Sequence, residues 1–306
     1  MNTPLVSNRH PVVSLLYIII LVGVGFLLIG PLVGVAVTSL FYEGDLMQAM
    51  KNPDYSGFLP IMVMQGFASF IGLIVMPLLY IGVFERKSIG AFFKLNNPPV
   101  AIPVIMLIGF GFLVVLSPVI EWNMNLQFPE FMKEFAEWAR QREDALMEVT
   151  KALTNFQSIR DLLIGLVVIA VLAGIGEELV FRGLIQNELK RGTGNPHVAI
   201  WVAAILFSAI HMQFFGFVPR VLLGALFGYL YHWSGNLWVP MFAHFFHNGF
   251  TVLMIYFYQQ GITGFDMESE EAAPWYWVLV SMVFTFALLV YFRKLYATKT
   301  SFYTRE

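Results

Sequence analysis

Charges and histidines are spread unevenly along the chain. The stretches Pro11 to Tyr42, Tyr55 to Phe84 and Leu95 to Ile120 contain none, and each exceeds the roughly 20 residues a helix needs to cross a bilayer. These runs predict three transmembrane helices. The first is too long for the apolar core of a signal peptide and is expected to stay as an anchor. A fourth clean span is predicted from Ala272 to Phe292, opened by Pro274, Trp275, Tyr276 and Trp277, residues suited to a membrane interface. Four further spans are drawn near 161–190, 197–213, 217–233 and 236–258, and each of these carries ionisable residues. The expected fold is an all-α integral membrane protein of about eight transmembrane helices, a single polytopic domain over 1–306.

One long polar stretch, Pro129 to Arg160, interrupts the pattern between the third and fourth spans. Within and beside it Phe128, Phe131, Phe135, Trp138, Ala145, Val149, Ala152 and Phe156 recur at helical spacing. An amphipathic helix on the membrane surface or over the bundle is expected, with a solvated connector as the alternative. Turn residues at Gly192 to Pro196 and at Ser234 to Asn236 divide the later spans. Basic residues in the short connections, among them Arg9, Arg86, Lys87, Lys190, Arg191, Arg293 and Lys294, place both termini on the cytoplasmic side of a cell membrane.

Composition agrees with lipid as the solvent. Hydrophobic residues make up 58% of the chain and charged ones 12%, against roughly 25% charged in a soluble domain. Mean hydropathy is +0.70. With no cysteine, disulfides, thiol nucleophiles and Cys-ligated metal centres are excluded. A net charge of -2 offers no basic stripe for nucleic acid.

Charged groups inside spans cost at least about 2.5–3.5 kcal/mol each, so their grouping carries information. They concentrate at Glu177, Glu178 and Arg182, then His211, then His244, His247 and Asn248. Glu178 and Arg182 are four apart and share a helix face, acid first, as such a pair prefers. Glu177 is turned about 100° away and is left to face something else, which makes it a candidate general base. His244 and Asn248 are also four apart. Counting from Gly194 puts Glu177 and His211 at equal depth in an antiparallel hairpin, and Asn248 falls near the same level. His197 and His232 read as ordinary residues beside helix ends, Asn236 as a cap, and His247 as ambiguous. Gly174, Gly176 and Gly183 are expected to leave room for a peptide beside Glu177, with a cavity opening at the Gly194 end.

These residues resemble the CAAX protease and bacteriocin-processing family, also called CPBP or Abi. Its adjacent glutamates with an arginine four later match Glu177, Glu178 and Arg182; its phenylalanine four before a histidine matches Phe207 and His211; its histidine four before an asparagine matches His244 and Asn248. The likeness covers about 170–254, within an expected catalytic core at 161–258. It implies an intramembrane glutamic endopeptidase in which Glu177 and His211 activate water, His244 and Asn248 form an oxyanion hole, and Glu178 and Arg182 position the first motif. It further implies no metal and no cofactor, with membrane lipid and a peptide or protein carrying a lipidated or hydrophobic end as partners. Two alternatives stand beside it. One is a zinc protease using Glu177 or Glu178 with His211 and His244, against which the sequence shows no His-Glu-x-x-His pair and no obvious carboxylate to orient either histidine. The other is a non-enzymatic immunity or transport protein whose polar cluster is a proton relay or ligand site.

Overall fold

The computed structural model describes residues 9–46, 58–91, 93, 100–267 and 271–303. The expected starts of the second and third spans, Tyr55 and Leu95, lie outside the described residues. Among the described residues regular structure is helical, with no strand. In chain order the main helices are α1 (Pro11–Thr38), α2 (Phe58–Phe84), α3 (Ala101–Met124), α4 (Lys133–Leu153), α5 (Ile159–Thr193), α6 (Pro196–Ala209), α7 (Phe217–Ser234), α8 (Trp238–Gln259) and α9 (Trp275–Tyr303). The chain is a multi-pass membrane protein. Among the described residues five helices, α1, α2, α3, α5 and α9, are long and apolar enough to cross a bilayer. On that measure the expected eight is not reached. Helix α6 has only 14 residues, about 21 Å at 1.5 Å per residue, while α7 and α8 dilute their apolar runs with Arg220, His232, His244 and His247.

Lipid is as apolar as leucine, so helices in a membrane associate through close packing and polar contacts rather than by escaping water. Helices α1 and α2 show this directly. A Cβ at Gly30 would lie 2.5 Å from Ala68 Cα, and one at Gly72 would lie 2.5 Å from Phe26 Cβ. Helix α5 is the centre of the bundle. Every residue from Glu178 to Gln186 is buried, and its apolar side chains share one core with Ile18 of α1, Tyr80 and Ile81 of α2, Phe207 of α6 and Met241 of α8. A second core joins α3, α7, α8 and α9 through Ile105, Ile108, Phe227, Leu230, Val239 and Phe292.

The hairpins turn where the sequence predicts. Helix α5 ends at Gly194, whose φ of 69° favours glycine, and the Asn195 side chain caps α6 by accepting from His197 N at 2.9 Å, with Pro196 leading the helix. Helix α7 ends likewise at Gly235, φ 61°, and Asn236 Oδ1 accepts from Trp238 N at 3.0 Å.

The amphipathic helix α4 forms, and it lies over the bundle. Its inward face differs from the expected one. Phe131 and Val149 are exposed, whereas the Glu143 side turns in and is buried. The reason is the turn after α6: Glu143 accepts from Phe215 N at 3.3 Å and from Gln213 Nε2 at 3.4 Å. Phe135 and Trp138 each pack on Phe214 at 5.3 Å, and the Arg140 guanidinium lies 3.6 Å from the centre of the Phe215 ring.

Candidate functional site

The site is built outward from α5. Ser158 starts this helix by accepting from Asp161 N, and two π-helical stretches, Leu166–Leu172 and Leu179–Ile185, bracket the short α-helical piece Ala173–Glu178. Such π turns recur at functional sites. One turn past Glu178, Arg182 donates from Nη1 to Glu178 Oε1 at 2.7 Å, and both side chains are almost wholly enclosed. The other end of the guanidinium donates from Nη2 to Gly224 O of α7 at 2.6 Å, and its plane sits near the rings of Phe207 and Phe227. The pair the sequence placed on one face therefore also ties α5 to α7.

The same oxygen, Glu178 Oε1, takes a second hydrogen bond, from His244 Nδ1 of α8 at 2.8 Å. His244 stacks on Phe227, centroids 5.0 Å apart and planes 23° from parallel. This corrects the expectation that no carboxylate orients either histidine. A carboxylate at Nδ1 fixes the proton there and aims Nε2 at a single place. That place is beside Glu177, whose Oε2 lies 3.9 Å from Nε2. The Glu177 side chain keeps 17% of its exposure where that of Glu178 keeps none. The two adjacent acids are thus separated: one holds a buried cation and a histidine, and the other stays accessible.

His211 stands two residues beyond the end of α6. Its Nδ1 lies 2.7 Å from Phe207 O, a pure acceptor, so Nδ1 carries the proton and Nε2 keeps its lone pair. Glu177, Arg220 and His244 all act on it electrostatically, and the Phe207 ring lies 5.2 Å from the His211 imidazole and 6.0 Å from that of His244. The next residue, Met212, adopts φ 54°, uncommon for a side chain with a Cβ and a form of strain that gathers at working sites. Asn248 is drawn elsewhere: its Nδ2 donates to Ile169 O in the first π stretch at 2.9 Å. The structure thus brings Glu177, Glu178 and His244 together, puts His211 beside the Phe207 ring that also neighbours His244, and holds Asn248 against the backbone of α5. His247 lines a small apolar cleft between α3, α7 and α8. His197 meets Tyr229 at 3.0 Å.

Two expectations about space are corrected. The glycines of α5 do not leave a channel. A Cβ on Gly174 would meet Phe245 N at 2.9 Å and one on Gly176 would meet Leu73 Cβ at 2.6 Å, so the absent side chains are used for helix contact. A small cleft does exist toward the Gly194 end, lined by Tyr80, Glu85, Lys87, Gly183, Asn187 and Glu188, but it does not include Glu177. In that outer region burial lowers the Lys87 ammonium pKa against the opposing pull of Glu85. His211, half-buried, lies within the 210–216 turn, against which α4 packs through Glu143. Sequence reasoning missed Glu143, Gln213 and Arg220, which join that turn to the site. The lone cation Arg220 within an otherwise apolar helix was the available signal. Among the described residues no group of three or more histidine, aspartate or glutamate side chains is disposed to hold a metal ion.

Residues 159–250 match the family model described as Type II CAAX prenyl endopeptidase Rce1-like. That stretch, about a third of the chain, is similar to the Rce1-like domain. All seven residues of the three motifs fall inside it. An uncharacterised Bacillus subtilis protein, YpbD, is 32% identical over 84 residues, 26% of this chain and 40% of that protein. A Bacillus subtilis protein named as a candidate membrane peptidase, YdiL, is 30% identical over 104 residues, 33% and 42% of the two chains. The membrane-embedded CAAX protease MroQ of Staphylococcus aureus is 33% identical over 91 residues, 28% and 36%. The matched stretches span about two fifths of these relatives' lengths. No solved structure matches the chain.

Proposed function

We propose that the chain is an intramembrane endopeptidase that hydrolyses a peptide bond near a lipidated or hydrophobic, membrane-anchored end of its substrate. The observation that carries this reading is the division of labour between the adjacent glutamates, with Glu178 committed to Arg182 and His244 and Glu177 accessible beside His244 Nε2. In this reading Glu177, with the His211 Nε2 lone pair, takes a proton from water. The hydroxide adds to the scissile carbonyl, and the proton passes to the leaving amine as the C–N bond breaks. His244, carrying a proton on each ring nitrogen so that Nδ1 donates to Glu178 and Nε2 to the substrate, and the Asn248 amide hydrogen not engaged by Ile169 O stabilise the tetrahedral oxyanion. Glu178 and Arg182 position His244. The reading includes no resident metal. Its membrane is the cell membrane, with both termini cytoplasmic, and the clustering of Arg9, Glu85, Lys87, Glu188 and Arg191 at one end of the bundle supports that orientation.

The test uses purified protein in vesicles with a reporter peptide that carries a prenylated cysteine followed by three residues. Mass spectrometry should detect the released fragment, and a strong chelator should leave the rate unchanged. Loss of cleavage on chelation, restored by zinc, would replace this reading with the metalloprotease one. Absence of cleavage, with the protein folded, would favour the transport or immunity alternative.

Asn248→Ala should lower turnover by about 10²–10³-fold with little change in KM, the usual cost of one oxyanion donor. A variant with a raised KM and normal turnover would make Asn248 a substrate contact instead.

A further inference from the structure

Helix α4 buries one carboxylate. Glu143 keeps 4% of its exposure, on a helix whose other acids Glu134, Glu137, Asp144 and Glu148 face outward. Among the described residues its hydrogen bonds go to the turn after α6: Oε1 accepts from Gln213 Nε2 at 3.4 Å and Oε2 from Phe215 N at 3.3 Å. The other end of the same amide, Gln213 Oε1, accepts from Arg220 Nη2 of α7 at 2.7 Å. A guanidinium only donates and an ionised carboxylate only accepts, so one orientation of the Gln213 amide serves both. Glu143 and Arg220 attract each other across it, an ion pair with a side chain of the turn as its middle member. Gln213 stands two residues past His211, and Met212 between them holds φ 54°, a conformation that persists where its surroundings over-determine it. Farther along, Asn123 of α3 donates to Phe214 O at 3.3 Å and accepts from Val218 N at 2.9 Å, and Ser208 donates to Phe217 O at 2.8 Å. These neutral groups fasten the distal half of the turn, while Glu143 and Gln213 fasten the half that carries His211. An apolar side chain would dock a surface helix at less cost than a buried carboxylate, so docking of α4 does not by itself account for the charge.

We propose that Glu143 is a positioning residue for the reaction, acting through the 210–216 turn on His211. This rests on the hydrolytic reading of the site and deepens it by giving α4 a part in it. His211 lies past the last residue of α6, so its backbone takes its direction from the turn rather than from the helix. That direction brings Nδ1 to Phe207 O at 2.7 Å and leaves on Nε2 the lone pair that the reading requires. With Glu143 removed, Gln213 keeps Arg220 alone, Phe215 N loses its acceptor, and Met212 is free to leave its strained φ. The His211 ring then loses its bond to Phe207 O, and the proton is shared between both ring nitrogens. Glu143 touches no substrate in this role; its effect falls on how fast bound substrate is cut.

The experiment reads the ring and the reaction separately, on the full chain in vesicles with isotope-labelled histidine nitrogens and the prenylated reporter. Nuclear magnetic resonance, at a pH where the ring is neutral, assigns His211 as the nitrogen pair that disappears in His211→Gln. In the unaltered protein that pair should report one tautomer, with the proton on Nδ1. In Glu143→Ala it should become a mixture of the two tautomers, and kcat should fall by up to about 10²-fold, the scale of a small misplacement of a reacting group, with KM nearly unchanged. Glu143→Gln keeps the size and one acceptor but cannot serve both Gln213 and Phe215 N, so it should fall between the two; it carries the test if the alanine variant does not fold. Glu148→Gln, on the exposed side of the same helix, should alter neither reading. An unchanged His211 tautomer in the Glu143 variants would overturn the proposal and leave the peptidase reading standing, and so would a loss confined to KM. Absence of cleavage by the unaltered protein would remove the hydrolytic reading and the proposal together.

Discussion

Glu177→Gln should reduce reporter cleavage by about 10²–10⁴-fold, the range for loss of a general base, while the folded protein melts close to the unaltered one. Both halves follow from position. The Glu177 side chain is partly accessible and approaches His244 Nε2 only at 3.9 Å, so neutralising it removes no short hydrogen bond and should shift stability by no more than about 1 kcal/mol. The amide keeps the shape and cannot take the proton from water. Turnover and thermal melting of the same preparation decide the matter. Equal turnover in the variant sinks the assignment of Glu177 as base, and a collapse in melting temperature would make it a structural residue.

The neighbouring change should behave in the opposite way. Glu178→Ala strips the acid hydrogen-bonded to Arg182 and the orienting partner of His244 in one step. Leaving one half of a buried ion pair costs about 3–5 kcal/mol, enough to lower yield and melting temperature sharply. Replacing both members, Glu178→Leu with Arg182→Leu, should restore most of the fold, since the unpaired charge has gone, yet should not restore cleavage, since nothing then holds His244 Nδ1. A double variant that melts normally and cleaves normally would show that His244 needs no orientation from Glu178.

Much of this arrangement was legible from spacing alone. The charge-free runs located α1, α2, α3 and α9 because lipid tolerates few charges, and the four-residue interval joined Glu178 to Arg182 because both ends of that contact lie on one helix. What escaped were contacts between distant segments. Glu178 meets His244 across 66 residues, Glu143 meets Phe215 across 72 and Asn248 meets Ile169 across 79; no local period encodes them. The outward pointing of Val149 in α4 has a similar origin. Periodicity ranked that helix by apolarity, whereas two hydrogen bonds to one carboxylate turned the Glu143 face inward.

The short interval between Glu178 and Arg182 also bears on how the protein is made. A segment released into the bilayer one helix at a time must tolerate lipid before its neighbours arrive. Because the acid and the base of this pair lie one turn apart on α5, the helix can balance its own charge as it is inserted, with no help from α7 or α8. Gly224 and His244 then join a pair already formed. The most expensive polar contact of the site is thus a local one, completed early in assembly, and the later helices are recruited to it.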